Sequence, residues 1–163
     1  MARIDLKNAT IKIQDNAGAN SITVKIGDGN LVYTERRTVE YLLDKGLIDE
    51  VRLGDKIPVD VRMNFNWDYI KGATGSGVPS PEDAIKKRGE ASSWVSTDSD
   101  ACRPYAVDIV LLNVPACPSG DQETITLEDF RWEELEHDPK AASINVTGKC
   151  NIDEATVVRE AQP

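Results

Sequence analysis

Four side chains in this sequence have the chemistry to hold a transition metal: Cys102, Cys117, His137 and Cys150. Together they could in principle make a Cys3His zinc set, but zinc fingers place paired cysteines only a few residues apart, and this spacing matches no such pattern. An odd cysteine count gives no disulfide framework, so buried or inert thiols are expected. Cys117 and Cys150 would share one end of an antiparallel run of closing strands, with Cys102 at the other end. Those two could therefore be neighbours, and a three-cysteine cluster is not expected. "GATGSG" (72–77) has the glycines of a phosphate loop without the Lys-Ser/Thr that must follow. "DSD" (98–100) offers carboxylates without the rest of a calcium loop. Glu133 and Glu134 are paired acids with no pocket implied, and G-x-S-x-G, H-E-x-x-H and C-x-x-C do not occur. The basic triplet Lys86-Lys87-Arg88 is best read as complementing the C-terminal end of a helix. "NAT" (8–10) and "NVT" (145–147) match the glycosylation sequon but have no secretory signal beside them. The sequence therefore predicts no catalytic residue, no metal and no cofactor, and a protein that is not an enzyme.

The elements that would position chemistry are more informative. "IPVDVRMNFNWDYI" (57–70) alternates strictly. Val59, Val61, Met63, Phe65, Trp67 and Tyr69 point one way, and Asp60, Arg62, Asn64, Asn66 and Asp68 the other. Period 2 marks a strand with one buried and one wet face, here over roughly 40 Å at about 3.3 Å per residue. "LVYTERRTVEYLL" (31–43) reads as a second long strand. Between them "DKGLIDEVRLGDK" is polar and glycine-punctuated, so residues 44–56 are expected to be the loop of one large hairpin. A connector of that length is uncommon unless it has a role. Shorter strands are predicted in 4–15 and 21–26. A flexible linker is expected at 71–80, then a helix over 81–88 with Ser80 as N-cap, Pro81 in the first turn and Gly89 closing the end. The remainder (104–114, 123–135, 141–150) reads as strands again. Residues 1–163 are thus expected to form one mainly β domain, a sandwich or a partly open barrel with one short flanking helix.

With 163 residues, 40% hydrophobic and 29% charged, the composition suits a globular domain. No apolar run is long enough for a transmembrane helix. A formal net charge of −9 argues against a conventional nucleic-acid binder, which needs a basic footprint.

Taken in order, a strand pair, the long hairpin "VYTERRTVEYLLDKGLIDEVRLGDKIPVDVRMNFNWDYIKG", the helix "SPEDAIKKRG" and the closing strands through "RWEELEHDPKAASINVTGKCN" resemble the tail tube (major tail) proteins of tailed bacteriophages. The resemblance covers about residues 4–157 and is strongest over 31–72. The tubes of type VI secretion systems and contractile particles share this fold, so the tail type is open.

The resemblance implies hexameric rings stacked into a hollow conduit for viral DNA, each subunit giving one sheet to a shared inner barrel. It implies that Thr34, Arg36, Thr38, Glu40, Arg62, Asn64, Asn66 and Asp68 face the lumen. It implies that the hairpin loop, with Leu47, Ile48, Asp49, Glu50, Val51 and Arg52, contacts neighbouring subunits. Six chains at −9 each carry a formal −54, so DNA would slide past such a channel. The partners implied are further copies of the chain, tape measure, tail terminator and baseplate or tip proteins, and DNA in transit without specific binding; no membrane is implied. The place implied is the virion tail, after synthesis in the host cytoplasm. A related virion or secretion-tube component is the alternative, and a small ligand-binding β-module the less favoured one.

Overall fold

A computed structural model of the protein describes residues 9–16, 20–24, 30–66, 77–115 and 120–162. In chain order the elements are β1 (Ala9–Gln14), β2 (Ser21–Val24), β3 (Leu31–Thr34), β4 (Arg37–Asp44), β5 (Leu47–Lys56), β6 (Val59–Asn66), α1 (Pro81–Lys86), a 3-10 turn at Gly89–Ala91, β7 (Val107–Asn113), β8 (Asp121–Asp138), β9 (Ser143–Cys150) and β10 (Thr156–Ala161). The architecture is mainly β with one short flanking α-helix, and the sheets do not close into a barrel.

Eight strands run in the order β2-β1-β7-β8-β9-β6-β3, with β10 also on β8. The 18-residue β8 organises them. Its first half pairs with β7 and β10, and its second half pairs with β9. Two bulges allow it to serve both layers, because an extra residue bends a strand and raises its twist. At the first, Val107 pairs with Phe130 and Ile109 with Leu127, so two residues of β8 oppose Asp108. Asp129 takes the left-handed conformation there, with φ of 56°. The Asp108 carboxylate accepts its backbone N–H at 3.0 Å, and Thr97 donates to the Asp129 carboxylate at 2.8 Å. At the second, Glu133 is the extra residue between the pairs Trp132–Gly148 and Glu134–Thr147. Gly148 is required here: a Cβ would lie 2.1 Å from the Arg131 carbonyl oxygen and 2.7 Å from the Phe130 ring.

The two layers close on one core. Ile11, Ile13, Ile109 and Leu127 come from one layer, and Val59, Val61, Met63, Phe65, Ile144 and Val146 from the other. The alternation of β6 is followed faithfully: Val59, Val61, Met63 and Phe65 are buried, while Asp60, Arg62, Asn64 and Asn66 are not. Ala84, Ile85, Ala91 and Trp94 extend the core from the helical segment. Helix α1 begins as its sequence dictates. The Ser80 side chain accepts the Asp83 N–H and Pro81 sits in the first turn, but Lys87 closes the helix in the left-handed conformation, so it ends at Lys86 instead of running over 81–88, and the expected closing Gly89 starts the 3-10 turn. Lys86 lies 5.0 Å from the Trp132 ring centroid and Lys87 5.7 Å from that of Tyr105, so two cation–π contacts hold the helix end to the strands.

Three further sequence expectations need correction. The expected loop at 44–56 is largely strand β5, which pairs with β4 around a two-residue turn, Lys45-Gly46, both at positive φ. That is the backbone a tight hairpin requires. The expected single strand over 31–43 is two strands, β3 and β4, separated at Glu35-Arg36. The C-terminal segment adds a strand, β10, whose residues are all exposed and show no amphipathic alternation. Trp67, Asp68, Tyr69, most of the 71–80 linker and Cys117 lie outside the described residues.

Candidate functional site

Two surfaces stand out. The first is the β4–β5 hairpin, which belongs to a separate two-stranded sheet. All of its strand residues are exposed except the half-buried Gly54. The register pairs Val39 with Leu53, Tyr41 with Val51 and Leu43 with Ile48. Residues directly opposite share a face, so these six form one apolar face. Tyr41, Leu43, Ile48 and Leu53 are each 60–65% exposed. The other face carries Thr38, the pair Glu40–Arg52 at 2.6 Å, and Leu42 opposite Glu50. Leu47, 74% exposed, pairs with Asp44 next to the turn.

Ile48 and Val51 are three apart, which on a regular strand would put them on opposite faces. The ladder shifts register between Leu42–Glu50 and Leu43–Ile48, leaving Asp49 unpaired. That bulge returns Ile48 to the apolar side. It also explains why periodicity reads this stretch as a loop: the signal was present but stepped by one residue. Gly54 allows the hairpin base to close, since a Cβ there would lie 2.7 Å from Thr38 Cγ2.

The second surface is the outward face of the β8-β9-β6-β3 layer. By register it presents Val32 and Thr34, then Asp60, Arg62, Asn64 and Asn66, then Ser143, Asn145, Thr147 and Lys149, then Arg131, Glu134, Glu136 and Asp138. Asn64 Nδ2 donates to Asn145 Oδ1 at 2.6 Å, linking β6 to β9. Arg36, just past β3, forms an ion pair with Asp60. Of the residues expected on one polar face, Thr34, Arg36, Arg62, Asn64 and Asn66 are brought together. Thr38 and Glu40 are not, because the break at Glu35-Arg36 puts them on the hairpin. Asp68 is outside the described residues. Sequence reasoning missed the contributions of β8 and β9 to this face. The alternation of "SINVTGKC" was legible, but its cross-strand partners were not.

Neither surface resembles a catalytic centre. Among the described residues no cluster of His, Cys, Asp or Glu could hold a metal. Cys102 is exposed and Cys150 buried. Burial, with Asp108 and Asp129 nearby, pushes the Cys150 thiol up to about 12, so it is not a nucleophile. His137 lies 3.0 Å from Glu82. Burial would raise the Glu82 carboxyl, but hydrogen bonds from His137 and Lys86 outweigh it and hold it below its ordinary range. Asp98 is held down to about 2 by the Asp100 backbone N–H, then by Arg131 and Arg103. These groups fasten the segment before β7 to β8.

No protein-family model matches the chain, and no curated protein does. Among solved structures, the chain is similar to the sheath/tube terminator of an extracellular contractile injection system (PVC), determined by cryo-electron microscopy in the extended state. The TM-score is 0.56 at 10% sequence identity, over 97% of this chain and 98% of that one. At this identity the likeness is one of fold.

Proposed function

We propose that this protein is a structural, non-enzymatic subunit of a phage tail or contractile injection particle, which assembles into closed rings around a central channel. The observation that carries the reading is the hairpin. A two-stranded ribbon with six large apolar side chains on one face is marginal alone in water, and an exposed patch of that kind marks a surface to be covered. The likeness of fold to a sheath/tube terminator along almost the whole of both chains supports this class. In the ring, six copies would each turn the polar β8-β9-β6-β3 face toward the channel. Asparagines, a threonine-serine row and no surplus of bases over acids there would let a polyanion pass without sticking.

Within the class two readings differ in how rings relate to each other. A tube subunit stacks ring on ring; a terminator forms one ring and stops. The resemblance of the sequence favours the first, and the fold neighbour favours the second. Negative-stain microscopy of the purified protein over a concentration series tests both. Stacked tubes support a tube subunit, and single rings that never stack support a terminator. A strictly monomeric species by light scattering at every concentration and salt overturns the proposal.

A further inference from the structure

The hairpin needs an acceptor, and the fold offers a specific one. We propose that the apolar face of the β4–β5 hairpin docks on the outer face of the β2-β1-β7-β8-β10 layer of a neighbouring copy of this chain. This rests on the ring-forming reading above and adds to it the receiving surface.

The argument begins from charge. In a chain with 29% charged residues, uncharged surface is scarce. The apolar hairpin face is charged only at its base, where Arg37, two residues before Val39, pairs with Lys56. The outer face of the second layer carries an uncharged patch of its own. Its registers place Thr10 beside Leu112, Leu112 beside Thr124 and Thr124 beside Val158, with Val110 beside Thr126 in the next row. Charges border the patch: Lys12 beside Val110, Glu128 at 3.3 Å from Thr156, and Asp108 and Glu160 at its ends. The outward face of the other layer is instead studded with Asp60, Arg62, Glu134, Glu136, Asp138 and Lys149. Interface cores are depleted in charge, so the neutral face is the match and the charged face is not. Burying apolar hairpin residues against the charged face would leave charges without water or partners.

Size agrees. The six hairpin side chains expose on the order of 700 Å², close to the roughly 800 Å² per partner of a standard interface. The acceptor, several strands wide at about 4.8 Å spacing, is broader than a two-stranded ribbon. The hairpin does not cover this face in its own subunit, because its strand residues are exposed. Hairpin on sheet face is also a contact between two different patches. Such heterologous contacts propagate from copy to copy and form a ring where the rotation between copies closes, whereas a hairpin-on-hairpin contact would stop at a dimer.

The test uses full-length protein carrying Cys102→Ser and Cys117→Ser, which leaves the buried Cys150 as the single native thiol. Val51→Cys is combined with Thr126→Cys in one variant and with Asn145→Cys, on the charged face, in another. Both are oxidised after assembly, and circular dichroism confirms the fold. The expected result is a ladder of covalent oligomers from the Thr126 combination only. Separately, Thr126→Arg should raise the assembly midpoint at least ~10-fold, since an unpaired charge would be buried, and Asn145→Arg should change it less than ~3-fold. Rings that form while the hairpin cysteine cross-links to position 145, to another hairpin, or to nothing overturn the acceptor and leave the ring reading standing. Protein that never assembles overturns the ring reading and this inference together.

Discussion

Deleting Asp49 should be harmless to assembly, and deleting Arg52, three residues on, should not. Asp49 is the extra residue of the β5 bulge, between Ile48, which pairs with Leu43, and Glu50, which pairs with Leu42. Removing it leaves a regular ladder in which Ile48, Val51 and Leu53 alternate on one face. Removing Arg52 makes Val51 and Leu53 adjacent, and adjacent strand residues face opposite ways. Either Leu53 leaves the apolar face, or Ile48 and Val51 do. Burying a side chain of this size contributes roughly 1.5–3 kcal/mol. The smaller loss, Leu53 alone, thus removes about 2 kcal/mol per contact, a factor of about 30 in affinity. Losing Ile48 and Val51 together would remove about twice that energy. The ion pair Arg52–Glu40 is exposed and sits on the other face; such pairs contribute only about 0–1 kcal/mol. Arg52→Ala, which keeps the register, is therefore the control and should shift assembly less than ~5-fold. The assay is the concentration midpoint of assembly by light scattering, with circular dichroism and melting as fold controls. The Asp49 deletion should fall within ~3-fold of the parent, and the Arg52 deletion at least ~30-fold above it. An Arg52 deletion that assembles like the parent would refute the assignment of the hairpin face.

Three further outcomes concern the fold itself. Gly148→Ala should destabilise by more than about 3 kcal/mol, as severe core clashes do, because the methyl would meet the Arg131 carbonyl oxygen at 2.1 Å; denaturant unfolding measures it, and a loss under 1 kcal/mol would mean the β8–β9 bulge is placed wrongly. Burial raises the Asp108 carboxyl, with Asp129 and Glu128 adding to the shift against the Asp129 N–H bond that lowers it. The charged form is therefore costly in the folded protein, so Asp108→Asn should raise the melting temperature at pH 7. The gain should shrink as pH falls and vanish below the ordinary aspartate range near about 3.9, and a pH-independent effect would exclude this cause. Asp98 is shifted the other way, to about 2. Its stabilisation should be complete above about pH 4 and lost as pH falls toward 2, so Asp98→Asn should flatten the acid limb of the parent's melting profile below pH 4, while an unchanged limb would rule Asp98 out as its source.

Legibility in the sequence followed periodicity and local chemistry. β6 could be read because its alternation is unbroken, and α1 because its cap, proline and charges all agree. β5 could not, because its bulge offsets the pattern by one residue and its exposed face carries few of the residues that mark a strand. β8 was read short, at 123–135 instead of Asp121–Asp138, because its ends, Asp121 and Glu136-His137-Asp138, belong to the runs "PACPSGD" and "EHDPK" that read as turns. β10 has no buried face, so no pattern forms. Of the polar face, the β6 row was visible and the β8 and β9 rows were not, since register between distant strands is fixed by three-dimensional pairing. The division of 31–43 into β3 and β4 was hidden in the same way: nothing in "YTERRTVE" marks Glu35-Arg36 as the point where the chain leaves one sheet for another.

The shared strand has a bearing on how the subunit comes apart. Because β8 is laddered to β7 and β10 along one half and to β9 along the other, neither layer can open without stripping partners from it. The fold has no seam along which one layer could melt while the other held. Cooperative units set the depth of hydrogen-exchange protection, so the amides of both halves of β8 belong to a single unit that exchanges only with global unfolding, and the free-standing hairpin is the part that opens independently of it.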